Sequence, residues 1–254
     1  AEIDYPRELA IAEQLGRVIE QHKGLSVDGV SVAVPKFWPR YSGAQWLTMD
    51  YIPGFQAGSA EVAALPQARR NALGRLMLEL FFVEVFELGL MQSDPNFGNY
   101  LISAEGDQLT LLDFGSVMTL DGPVQQALCD TIVAGHRHND AALMLGLQQL
   151  GCLKADAGSH AQQTFRTFVV NLLEPLRPSA ELPPEFLNDA GEYCWGQSAL
   201  LNRTGRHVAK SVTSRQFTIP SGDFALVARK LTGVFTFIAV LNAEFNAYDV
   251  IAPY

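Results

Sequence analysis

Apolar residues recur at three- and four-residue intervals through most of this chain, and the stretches where that rhythm breaks are short. Over 6–22 (PRELAIAEQLGRVIEQH) the spacing predicts one amphipathic helix. Pro6 falls in its first turn, where the missing amide removes no helical bond. The longest periodic stretch is 66–90, where Leu76, Leu80, Val83 and the run Phe86 to Leu90 mark a buried helix stopped at Gly89. From 122 onward the pattern is helical almost throughout, over about 122–136, 139–150, 158–173, 185–202 and 222–244. Gly151, Pro175, Pro178, Pro183-Pro184 and Pro220 break it, and 174–184 is expected to be an exposed linker or long loop.

Strand signals are fewer. The segment VSVAVPKFWP is kept short by Pro35 and Pro39, and Ala44 to Tyr51 alternates enough to predict a strand. YLIS and LTLLD predict two short strands around the polar turn Ala104-Glu105-Gly106-Asp107, which makes a hairpin. Asn99 stands just before this hairpin, Asp113 at its end, and Asp94 five residues ahead of Asn99.

An Asp-x-x-x-x-Asn loop followed by an Asp-Phe-Gly triplet is the pattern of protein-kinase-type phosphoryl transfer. Asp-Phe-Gly alone is common at strand-to-turn boundaries; the combination with the loop and hairpin carries the specificity. ATP brings a highly charged triphosphate, and Mg²⁺ that offsets this charge takes hard oxygen ligands. Asp113 offers a charged oxygen and Asn99 a neutral one as metal ligands. Asp94 is left to orient or deprotonate the attacking hydroxyl or water.

Composition narrows the partners. The chain has 254 residues, 48% hydrophobic and 18% charged, which describes an ordinary globular protein able to bury a good core. A net charge of −9 with scattered Lys and Arg argues against nucleic acid. Cys129, Cys152 and Cys194 are far apart and show no zinc spacing, so free thiols are expected. No secretory signal opens the chain, and Leu231 to Leu241 is too short an apolar run to span a bilayer. A cytoplasmic or peripheral membrane location is the expectation.

The stretch MQSDPNFGNYL…LTLLDFG resembles the UbiB (AarF-type) atypical kinase-like family, relatives of the proteins that support coenzyme Q (ubiquinone) biosynthesis. EIDYPREL resembles the family's glutamate helix, WLTMDYIPG its hinge strand, and DFALVARKLTGVFTFIAVLNAEF its late hydrophobic helices. The resemblance covers essentially the whole chain and is loose between 121 and 220.

It implies an α+β, protein-kinase-like fold with a reduced N-lobe (1–54) and a large, mostly helical C-lobe (55–254) that carries the catalytic loop and metal hairpin. It implies Asp94 as the catalytic aspartate and Asn99 and Asp113 as Mg²⁺ ligands. Glu8 becomes the helix glutamate that pairs with a phosphate-binding lysine, and Glu2 and Asp4 become family acidic positions over the active site. Met49 takes the gatekeeper position, with the Asp50 and Ile52 backbones bonding adenine. The implied cofactors are ATP and Mg²⁺, and the implied substrate a small molecule or lipid, with peripheral membrane contact compatible and the oligomeric state open. The other class of reading is a non-catalytic nucleotide-sensing or lipid-binding module that assists a biosynthetic complex.

The chain departs from ordinary kinases in several places. Gln92 and Ser93 stand where His and Arg are usual, and no Ala-Pro-Glu activation segment follows Asp-Phe-Gly, which argues against a protein substrate. The chain opens inside the glutamate helix, with no phosphate loop, lysine strand or Lys-x-Gly-Gln before it, so it is expected to be a fragment with little turnover alone.

Other groups have plainer expectations. His136 and His138 are taken as a solvated helix end rather than a metal pair, Arg69, Arg70 and Arg75 as a solvated face, and Phe114 as packing. Arg203, Arg206, Lys210 and Arg215 form a spread basic stretch that could meet anionic lipid or substrate phosphate.

Overall fold

The computed structural model describes residues 4–22, 25–154, 157–204 and 222–254. Glu2 lies outside the described residues, as do Arg206, Lys210 and Arg215.

The first helix, α1 (Tyr5–Gln21), buries Ala12, Leu15 and Ile19 along one face. The Asp4 carboxylate caps it, accepting from the Arg7 amide at 3.1 Å. Two strands, β1 (Ser26–Val27) and β2 (Val30–Ala33), turn through Asp28-Gly29, both at positive φ. The helices α2 (Ala60–Ala63) and α3 (Gln67–Phe82) follow. α3 passes into a π-helical turn, Val83–Leu88, which Gly89 ends at φ 59°. Then β3 (Leu90–Gln92) leads into the loop that carries Asp94.

The predicted hairpin forms as β4 (Tyr100–Ile102) and β5 (Gln108–Leu111), and β6 (Val117–Thr119) returns antiparallel to β3. The four-stranded sheet runs β1-β2-β5-β4, with β2 parallel to β5. It therefore ties the segment before residue 54 to the hairpin beyond it. The helical part comprises α4 (Gly122–His136), α5 (Asp140–Gln149), α6 (Ser159–Leu172), α7 (Trp195–Ser198), α8 (Gly222–Val240) and α9 (Tyr248–Ile251). Among the described residues no helix is long and apolar enough to cross a membrane.

Four sequence expectations are corrected. Ala44 to Tyr51 is not a strand; it turns at Gly43 and Trp46 and makes one further bridge, Phe37 to Met49. Its partner segment is cut short by Pro35 and by Pro39, which opens a 3₁₀ turn. The 174–184 segment is a long loop between α6 and α7 but not an exposed one throughout, because Glu174, Pro175, Leu176 and Leu182 are buried. Prolines stop a helix without stopping burial. The 185–202 stretch is not one helix; a turn over Asn188 to Gly191 and a bridge from Leu187 to Tyr193 leave only the short α7 before 200–204. The Arg69 to Arg75 face is not simply solvated: Arg69 donates to the Asp28 carbonyl at 3.3 Å and Arg70 to that of Leu241 at 2.9 Å.

Candidate nucleotide and metal site

Asp94 sits at the mouth of the loop between β3 and β4 and is half-buried. The 3₁₀ turn Phe97–Asn99, capped by the Asn96 side chain on the Gly98 amide at 3.0 Å, brings Asn99 back toward it. The Asn99 amide donates to Asp94 Oδ2 at 2.9 Å. The Asn99 carbonyl accepts from the Leu112 amide at 2.9 Å, so Asp113, the next residue, emerges beside it. Asp113 Oδ1 accepts from the Gly115 amide at 2.8 Å, which folds the triplet back on itself. The two ends of one hairpin thus bring Asp94, Asn99 and Asp113 into one neighbourhood. Phe114 beneath them is fully buried and meets Phe37 edge-on at 5.8 Å, a packing residue as expected.

Glu8 reaches this neighbourhood from α1. Its Oε1 accepts from the Phe114 amide at 3.3 Å, and its carboxyl lies against that of Asp113. Burial first, and then the Asp113 charge, push the Glu8 carboxyl above the usual carboxylate range, while the Phe114 amide opposes them. The glutamate helix is therefore docked on Asp-Phe-Gly itself.

The residues fit a Mg²⁺ ion by donor chemistry. Asn99 spends its nitrogen on Asp94, which leaves its oxygen for a cation, and Asp113 keeps one carboxylate oxygen beyond its bond to Gly115. Among the described residues no cluster of three His, Cys, Asp or Glu forms a cage, so the remaining ligands would be phosphate oxygens and water.

The expected adenine side is more open. Met49 is 37% exposed and Tyr51 90% exposed, so neither is walled in as the back of a pocket. The Asp50 amide is committed to the Lys36 carbonyl at 2.9 Å, which leaves the Asp50 carbonyl and the Ile52 backbone for the expected hinge bonds. The Asp50 carboxylate accepts from Trp38 Nε1 at 2.7 Å. A cavity of about 510 Å³ between α1 and β2 is lined by Gly16, Arg17, Val32 and Lys36, and it contains none of Asp94, Asn99 and Asp113.

Sequence reasoning found the late helix but missed its place beside the Asp94 loop. Arg229 of α8 lies 3.6 Å from Asp94 Oδ1, and beside it an open cleft of about 400 Å³ runs along Pro95, Phe97, Thr232 and Thr236. Lys230, 1% exposed, sits 3.3 Å from the fully buried Glu84 carboxylate. Burial alone would lower the Lys230 ammonium, but Glu84 and the Tyr100 hydroxyl outweigh it and raise Lys230, while at Glu84 burial outweighs Lys230 and raises the carboxyl. The signal was present: a charge inside an apolar run, as in FFVEVF and ARKLTGVF, calls for a buried partner.

The other sequence candidates have structural partners. His136 Nδ1 bonds the Leu176 carbonyl at 3.0 Å and His138 pairs with Glu181 at 3.1 Å. Arg203 grips Glu174 through two nitrogens, at 2.7 and 3.0 Å, so it is no free lipid or phosphate contact. The three cysteines are free thiols.

A glutamate helix docked on Asp-Phe-Gly, an Asp-x4-Asn loop and a hairpin between them describe a kinase-like protein. A family model for the ABC1 atypical kinase-like domain matches residues 1–145, more than half of the chain, and the chain belongs to that family. It is 26% identical over 251 residues to the "Atypical kinase COQ8, mitochondrial" of Schizosaccharomyces pombe, covering 98% of this chain and 38% of that protein. It is 26% identical over 254 residues to the rat "Atypical kinase COQ8B, mitochondrial", covering 98% of this chain and 43% of that one. The chain thus spans less than half the length of these relatives. Among solved structures, the Rv3197–erythromycin complex from Mycobacterium tuberculosis superposes with a TM-score of 0.67 at 18% identity, over 98% of this chain and 57% of that one, which shows the fold.

Proposed function

We propose that this chain is the core of a UbiB-type, Mg²⁺·ATP-dependent phosphotransferase or ATPase that serves isoprenoid quinone (ubiquinone) biosynthesis and acts on a small molecule or lipid. The observation that carries the reading is the hydrogen-bonded run from Asp94 through Asn99 to the Leu112 amide, which sets Asp113 beside them. In this reading Asn99 and Asp113 would hold the metal, which would supply positive charge to offset that of the transferring phosphoryl group. Asp94 holds the acceptor hydroxyl or water in line and takes its proton at a carboxylate oxygen. The cleft beside Arg229 is the acceptor side, and Glu8 fixes the triplet by bonding the Phe114 amide. The relatives' printed names, mitochondrial COQ8 kinases, support the quinone assignment.

One observation favours the alternative, a non-catalytic nucleotide-sensing or lipid-binding module. Both Asp94 oxygens already have partners, Oδ2 accepting from the Asn99 amide at 2.9 Å and Oδ1 lying 3.6 Å from Arg229. Calorimetric titration and ATPase turnover of the complete protein separate the two. The catalytic reading expects Asp113→Asn to abolish Mg²⁺·ATP binding. It expects Asp94→Asn to bind ATP within about threefold of the parent and to lose about 10²-fold or more in turnover. Mg²⁺·ATP binding by the parent with no turnover selects the sensing module.

A further inference from the structure

The loop that carries Asp94 begins at Gln92 and ends at Tyr100, and one buried cation touches both ends. Lys230 Nζ lies 3.3 Å from Gln92 Oε1 and 3.1 Å from the Tyr100 hydroxyl. The Tyr100 hydroxyl in turn donates to Gln92 Oε1 at 2.9 Å. Gln92, Tyr100 and Lys230 are each at most 3% exposed. The third contact, Glu84 at 3.3 Å, comes from the π-helical turn that delivers the chain to the loop.

The same helix holds the loop at two more points on the same side. Pro95 packs so closely on Gly233 that a Cβ there would stand 2.3 Å from the proline Cβ. Phe237 meets Phe97 and Tyr100 edge-on, each at 5.8 Å. Lys230, Gly233 and Phe237 are three and four residues apart, on one helical face.

As a device for stability alone this arrangement is poor. Neither Glu84 oxygen has a hydrogen bond of good geometry, and the Gln92 side-chain nitrogen is buried without one. A buried pair of this kind repays its desolvation poorly, and apolar residues of similar volume often replace it without loss. What apolar residues cannot do is hold Gln92 and Tyr100 to one point.

We propose that Lys230 is a positioning residue: its ammonium pins the two ends of the Gln92 to Tyr100 loop together and thereby fixes where the Asp94 carboxylate stands. It acts through Gln92 and Tyr100 and touches no substrate. The activity half of the claim rests on the phosphoryl-transfer reading; the loop half does not.

The test removes the charges without leaving one orphaned. In the complete protein the double variant Glu84→Leu/Lys230→Met is expected to melt within a few degrees of the parent. The backbone amides of 93, 94 and 96–99 exchange with solvent about tenfold faster, and kcat falls about tenfold while KM for ATP stays within about twofold. Parent-like exchange over 93–99 in the folded double variant overturns the proposal, as does parent-like kcat in an active protein. Tyr100→Phe, which removes one hydroxyl and no volume, covers the case in which the double variant does not fold. It is expected to speed exchange over the same amides, and unchanged exchange there also overturns the proposal. If the parent hydrolyses no ATP, the phosphoryl-transfer reading fails and the exchange arm still decides the role of Lys230.

Discussion

Gly233 illustrates how a residue with no chemistry can govern one that has it. Its missing side chain lets Pro95, the neighbour of Asp94, sit directly on α8. Gly233→Ala must push the loop or the helix, because the new methyl would stand 2.3 Å from the Pro95 Cβ. The expected stability loss is about 1–3 kcal/mol by denaturant titration. On the phosphoryl-transfer reading, turnover is expected to fall further than that loss explains, while nucleotide affinity, which that reading assigns to Asn99 and Asp113, is expected to hold. At this scale the sequence exposed the chemistry and hid the support. That Asp94, Asn99 and Asp113 meet was legible, because the hairpin between them could be read from its strand and turn residues. Arg229, Lys230, Gly233 and Glu84 were not, because their meaning depends on a contact across more than a hundred residues of chain.

Elements differ in how much of themselves they announce. α1, α3, α4, α5, α6 and α8 follow the apolar period, with ends within a few residues of expectation except at the close of α3 and α8. The hairpin of β4 and β5 was legible from its turn residues. The π-helical turn at Val83–Leu88, which carries the buried Glu84, was not, since the apolar spacing there also suits an ordinary α-helix. The 174–184 segment is the expected loop between helices, but its partial burial was not legible: the Arg203 guanidinium that pairs with the buried Glu174 stands 29 residues away. This junction carries a pH prediction. Burial, opposed by the hydrogen bond to the Leu176 carbonyl, holds the His136 imidazole below its ordinary value of 6.5. A depressed histidine contributes stability that is present above that value and is lost as pH falls through the folded one. Melting temperature is therefore expected to drop on acidification from about pH 7.5 to about pH 5, and to drop less in His136→Gln. Equal slopes for the two proteins would show that His136 contributes nothing to that loss.

At the scale of the whole molecule, the sheet matters most. Its parallel pairing of β2 with β5 fastens the early segment, with α1 packed on it, to the hairpin that bears Asp113. Glu8 meets the Phe114 amide as part of this arrangement. The two-lobe expectation from sequence put a boundary at residue 54; a shared sheet across that point was invisible, because pairing between residues 77 apart, such as Ser31 and Gln108, leaves no local pattern. The measurement that reaches the central claim most directly uses Mn²⁺ in place of Mg²⁺. In the complete protein with a non-hydrolysable ATP analogue, paramagnetic broadening should erase the NMR signals of the Asn99 side-chain amide and the Phe114 and Gly115 backbone amides together. Asp113→Asn should restore all three. Loss of only one group of signals, or broadening that persists in the variant, would mean that the metal is held elsewhere.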